Sequence, residues 1–72
     1  MYFDAKDAGT LIRKLRIERG MTQEVLSGLA GMARSHIAMI ESGKKDIRVD
    51  TLWRITDALG LRLSEFIRML EE

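Results

Sequence analysis

The chain has 72 residues, enough for one small domain, and its 46% hydrophobic and 32% charged residues suit a folded soluble domain and not a disordered tail. It holds no cysteine and a single histidine, His36, which excludes disulfides and most zinc sites. Twelve Lys+Arg against eleven Asp+Glu leave a net charge of +1, so no global basic excess announces a polyanionic partner.

A chain this short buries only about 60% of the surface its unfolded form exposes, which leaves a marginal core. With disulfides and metal excluded, self-association is the remaining support. No apolar run approaches the roughly 20 residues of a membrane span. The start, Met1-Tyr2-Phe3-Asp4-Ala5-Lys6-Asp7, lacks the cationic region and apolar stretch of a signal peptide. The expected place is the cytoplasm, away from membranes.

Six glycines divide segments of helical period, and no proline or repeat interrupts them. The first helix is expected over about Ala8 to Arg19, with Leu11, Ile12 and Leu15 as its apolar stripe and Gly20 as its stop. Thr22 offers its hydroxyl as the cap of a short second helix, about Gln23 to Ala30, carrying Leu26 and Ala30. Gly31 breaks the period, and Met32 gives the turn an apolar contact. A third helix, about Ala33 to Ser42, buries Ile37 and Ile40 and closes at Gly43.

Lys44 to Arg48 forms a polar connector with Ile47 as its anchor. Asp50-Thr51 opens a fourth helix with Leu52, Ile55 and Leu59, stopped by Gly60. Ser64 is the expected cap of a fifth, Glu65 to Glu72, with Phe66, Ile67 and Leu70. The fold class is thus all-α, a compact bundle of five short helices in one domain over residues 1–72.

Residues 22–42 hold two short helices around a tight turn at Gly31, the layout that presents its second helix to a DNA groove. Many small bundles contain similar αα-hairpins, so spacing alone leaves both readings open.

The residues add to the spacing. Gly9…Ile12-Arg13…Leu15-Arg16…Arg19-Gly20 is followed by Thr22-Gln23-Glu24…Leu26…Ala30-Gly31. Next come Arg34-Ser35…Ile37…Ile40-Glu41…Gly43-Lys44 and Thr51-Leu52…Ile55…Ala58-Leu59-Gly60…Leu63-Ser64-Glu65. Together, over about residues 8–66, they resemble the Cro/C1-type (XRE-like) helix-turn-helix family of bacterial and phage transcriptional regulators. The resemblance implies a bundle of the lambda-repressor-like DNA-binding type and a third helix that reads double-stranded DNA.

With Ile37 placed at the core, Ser35, Ala38, Met39 and Ser42 cluster on the far side of that helix, and Arg34 flanks its first turn. Small and flexible side chains on that face admit a close partner; a plain weakly polar surface is the alternative. Arg34 fits O6 and N7 of guanine, or else a phosphate. Ser35 accepts or donates to almost any base or phosphate. Ala38 and Met39 fit thymine methyls, so few bases are expected to be read by hydrogen bonds.

In the family, the position of Gln23 commonly meets a phosphate, and helix N-terminal N–H groups favour an anion there. Lys44 and Lys45, just past the third helix, are placed for phosphates or for a solvated turn; Ser42 and Arg48 lie nearby. Residues 13–19 carry four basic groups against one acidic, a local net of +3, whereas 65–72 sum to −2. The resemblance also implies that Arg16 and Glu41 form a structural ion pair. His36 is read as a flank residue, and no catalytic group, cofactor or metal is expected.

Two positions depart from the family's pattern. Ala33 stands where a hydroxyl residue usually caps the third helix, and Val25 stands where a glutamate would complete a capping box with Thr22. Ile17, Val25, Leu29, Trp53 and Met69 fall at usually polar positions. Ile67, Met69 and Leu70 cannot all face one small core; they roof it, or they join Trp53 in a homodimer through the fourth and fifth helices. Two functions follow as expectations. One is a small dimeric repressor or autoregulator on a pseudo-palindromic operator. The other is a protein-interaction module of the antitoxin type, holding a protein partner on the exposed apolar residues.

Overall fold

The computed structural model describes residues 4–72 as five α-helices: α1 Ala5–Glu18, α2 Gln23–Ala30, α3 Arg34–Glu41, α4 Val49–Ala58 and α5 Leu63–Glu71. Met1 to Phe3, the start of the segment read above for a signal peptide, lie outside the described residues.

α1 begins three residues before its expected start. Asp4 supplies the cap there, its carboxylate accepting from the Lys6 N–H at 2.8 Å. The added turn Ala5–Asp7 packs its Lys6 backbone close against Gly43, just past α3. Gly9 is the tightest of the glycines: a Cβ there would run into the Ile40 carbonyl oxygen of α3. α1 and α3 therefore touch backbone to backbone, and glycine is what allows it.

α2 opens as expected, with the Thr22 hydroxyl accepting from the Val25 N–H at 3.1 Å. It closes at Gly31, which takes φ +69° in the left-handed region. The Met32 N–H then bonds back to the Ser27 carbonyl at 2.9 Å, satisfying an orphan acceptor at the helix end. α3 starts after Ala33, which makes no side-chain cap bond.

The last two helices depart from expectation mainly at their starts. α4 begins at Val49, one residue early, while Asp50 holds the Thr51 N–H at 3.0 Å. α5 begins at Leu63, so Ser64 lies inside the helix and does not cap it. Glu65 performs that task from within, its carboxylate accepting from the Arg62 N–H at 2.9 Å.

All five helices contribute to one core: Ala8, Ile12 and Leu15 from α1, Leu26 and Ala30 from α2, Ile37 and Ile40 from α3, Leu52 and Ile55 from α4 with Leu59 at its end, and Phe66 from α5. Ile67 and Leu70 pack against this core from its edge, and Met69 is exposed. The roofing reading thus holds for two of the three. No helix among the described residues is long and apolar enough to cross a membrane.

Candidate nucleic-acid interface

α3 is held from its inner side and open on its outer side. Ile37 and Ile40 are buried to 0% and 1% exposure. Arg34, Ser35, Met39 and Ser42 are exposed, and Ala38 and His36 are half-buried. The structure therefore brings the sequence-predicted residues of this helix onto one accessible strip. The Ser42 hydroxyl donates to the Met39 carbonyl at 2.7 Å, leaving its oxygen lone pairs free to accept. Lys44 and Lys45 follow on the exposed connector at the end of that strip. Among the described residues Arg34, Lys44 and Lys45 make no ion pair.

The foot of α3 is tied to α1 and α2 by a charged network. Arg16 grips Glu41 side-on, Nε to Oε2 at 2.7 Å and Nη2 to Oε1 at 3.0 Å. Its Nη1 donates to the Met21 carbonyl at 2.8 Å. Gln23 joins them, its Nε2 donating to Glu41 Oε1 at 3.2 Å. The side chains of Arg16 and Glu41 are 11% and 3% exposed, so the pair lies largely away from water. The hydrogen bonds that Arg16 donates to Glu41, opposed by burial and aided by the carboxylate's charge, raise the Arg16 pKa above the ordinary arginine value. Arg16 therefore keeps its charge throughout the neutral range.

This network qualifies the role of Gln23. One amide N–H is spent on Glu41, which leaves the second for another acceptor. Gln23 shares a shallow cleft with Arg13, Arg16, Ala38, Glu41 and Ser42, so it sits beside the outer strip of α3. Arg13, to which the sequence assigned no separate role, lines the same cleft and is exposed.

The basic cluster of residues 13–19 is smaller in space than on paper. Arg16 is bound as above. Arg19 donates from Nε to the Leu59 carbonyl at 2.6 Å and from Nη1 to the Leu15 carbonyl at 3.3 Å. Two of the four cations therefore serve the fold. Arg54 of α4, unremarked in the sequence, bonds the Ala30 and Gly31 carbonyls at the end of α2. Carbonyl acceptors leave no mark in sequence, so no pattern announces such a residue.

A second surface lies between α4 and α5. Trp53, Asp57, Arg62, Leu63, Ser64 and Ile67 line a largely apolar groove of about 670 Å³ there. Trp53 is 61% exposed, a large apolar area for a monomer to leave in water.

The helix-turn-helix family model matches residues 12–66. An uncharacterized HTH-type transcriptional regulator, y4dJ of Sinorhizobium fredii, is 30% identical over 93% of this chain and 87% of its own length. The control protein C.MunI of a Mycoplasma species is 31% identical over 89% of this chain and 88% of its own. Among solved structures, the restriction–modification controller protein C.Esp1396I, as a tetramer in complex with its natural 35 base-pair operator, superposes with a TM-score of 0.89. It is 30% identical and covers 99% of this chain and 93% of its own.

Proposed function

Because this chain belongs to the helix-turn-helix family, a family of DNA-binding regulators and not of enzymes, we propose that it is a transcriptional regulator that binds double-stranded DNA by sequence. The observation that carries this reading is α3 itself, seated by Ile37, Ile40 and Glu41 and exposed along Arg34, Ser35, Met39 and Ser42, with Ala38 half-buried between them.

In this reading α3 lies in the major groove. Arg34 reads guanine through O6 and N7. Ser35 bonds a base edge or a phosphate, and Ala38 and Met39 pack on thymine methyls. Gln23, Ser42, Lys44 and Lys45 hold phosphates on either side and set the register. Gln23 does so with its free amide hydrogen and the N-terminus of α2.

The apolar groove of α4 and α5 takes a second copy, which makes the regulator a homodimer on a pseudo-palindromic operator. Its place of action is the cytoplasm, where the DNA is. Repression or autoregulation is the simplest output, since blocking polymerase needs only binding. Like the controller C.Esp1396I, whose operator complex is a tetramer, it is expected to act as an assembly.

The test is binding of a duplex selected from a random pool, measured against salt. Affinity should fall steeply between about 50 and 200 mM, with a slope near −0.9 per phosphate contact. A flat response, or no binding at low salt, defeats the regulator reading. It would leave the exposed Ile17, Val25 and Leu29 as the surface to examine for a protein partner.

A further inference from the structure

The turn from Gly31 to Ala33 sets the angle at which α3 leaves α2, and few bonds hold it. Ala33 offers α3 no side-chain cap, and the turn's own ties run back only to α2: Gly31 N–H to the Gly28 carbonyl at 3.3 Å and Met32 N–H to the Ser27 carbonyl at 2.9 Å. The other tie comes from outside the hairpin. Arg54 of α4 donates from Nε to the Ala30 carbonyl at 3.1 Å and from Nη2 to the Gly31 carbonyl at 2.5 Å. Both acceptors belong to the end of α2, which leaves its last carbonyls without partners along the helix. A planar fork meets two such oxygens together and sets positive charge against the negative end of the helix. The fork also occupies the space beside Gly31, where a Cβ would lie 2.9 Å from Nη2.

Arg54 sits on a helix with a second face to present. Asp50, Trp53, Arg54 and Asp57 line a shallow groove along α4. Trp53 and Asp57 also line the larger groove against α5. The residue that ties the turn is thus flanked by residues of the surface assigned to a second copy.

Resting on the regulator reading above, we propose that Arg54 is a positioning residue for DNA recognition: from α4 it fixes the α2–α3 turn and hence the pitch of α3 in the groove. Arg54 steadies the turn from the α2 side by donating to its last carbonyls, while the α3 side has no side-chain cap at Ala33. Arg19 is the natural control, because it makes the same kind of bond, to the Leu59 carbonyl at the end of α4, away from the hairpin.

The experiment compares wild type, Arg54→Ala, Arg54→Lys and Arg19→Ala, each well below its melting temperature. The readouts are the affinity ratio for a wild-type-selected duplex over a scrambled one, and amide hydrogen exchange across residues 31–34 without DNA. Arg54→Ala should lose about tenfold in the ratio, the scale of one or two hydrogen bonds. Its turn amides should exchange faster than in wild type. Arg54→Lys should restore part of both, since an ammonium supplies charge but no fork. Arg19→Ala should change neither beyond its effect on melting. Should Arg54→Ala fail to fold, Arg54→Lys and Arg54→Gln carry the same comparison. Equal losses in the Arg54 and Arg19 variants, with wild type discriminating normally, overturn this proposal alone. A wild type that binds no duplex overturns the regulator reading and this one with it.

Discussion

Arg16 and Arg34 lie on neighbouring helices and are read oppositely, because one has its partner inside the protein and the other has none there. Removing one member of a buried pair leaves an uncompensated charge, at a cost of about 3–5 kcal/mol. Arg16→Ala is therefore expected to lower the melting temperature sharply, while Arg16→Met with Glu41→Leu should recover most of the loss. A double variant as unstable as the single would show that the pair, and not the stranded carboxylate, carries the stability. Arg34→Ala should leave melting within about 0.5 kcal/mol, as for an exposed side chain. It should relax preference at one base pair per half-site by about 1–3 kcal/mol. Lys44→Ala with Lys45→Ala should weaken all sequences alike and make the salt slope shallower. A change of sequence preference in that pair would reverse the sorting of contacts. The Arg16–Glu41 pair and the outer strip of α3 were legible in the sequence. Arg19 and Arg54 were not, because their partners are main-chain oxygens that every residue carries.

At the scale of helices, periodicity and glycine placement gave the five elements in order; the ends fall within a residue, and the larger misses fall at helix starts. Asp4 extends α1 because its carboxylate caps there, ahead of the apolar stripe that marks the helix in the sequence. Ser64 loses the cap of α5 because Glu65 reaches back to the Arg62 N–H. Two substitutions test this level. Ala33→Ser should add the missing cap of α3, raising stability by about 0.5–2 kcal/mol in a thermal melt. Gly9→Ala should improve helix propensity yet lower stability by about 1–3 kcal/mol, because a methyl group there meets backbone of α3 that cannot step aside. An unchanged or higher melting temperature for Gly9→Ala would mean that α1 and α3 are free to separate.

For the molecule as a whole, the sequence could say that some apolar residues had nowhere to go, but not which. The structure sorts them: Ile67 and Leu70 against the core, Trp53 and Met69 outward. That decides the choice of variant for the dimer. Leu70 supports the core, so replacing it confounds folding with association. Trp53→Lys leaves the core untouched and should convert a wild-type dimer to a monomer in sedimentation at micromolar concentration. It should also weaken a two-half-site operator far more than a single half-site, because linked sites gain from their effective concentration. A wild type that remains monomeric at high micromolar concentration removes the dimer.

The two sides of α3 carry separate duties, and that separation has an evolutionary consequence. Ile37, Ile40 and Glu41 face the core and cannot drift without cost, whereas Arg34, Ser35 and Met39 support nothing inside the protein. Exchanging such exposed side chains usually changes folding by no more than about 0.5 kcal/mol. On the proposed reading of α3, a lineage built on this scaffold is retargeted to new promoters through a handful of codons, each intermediate remaining folded along the way.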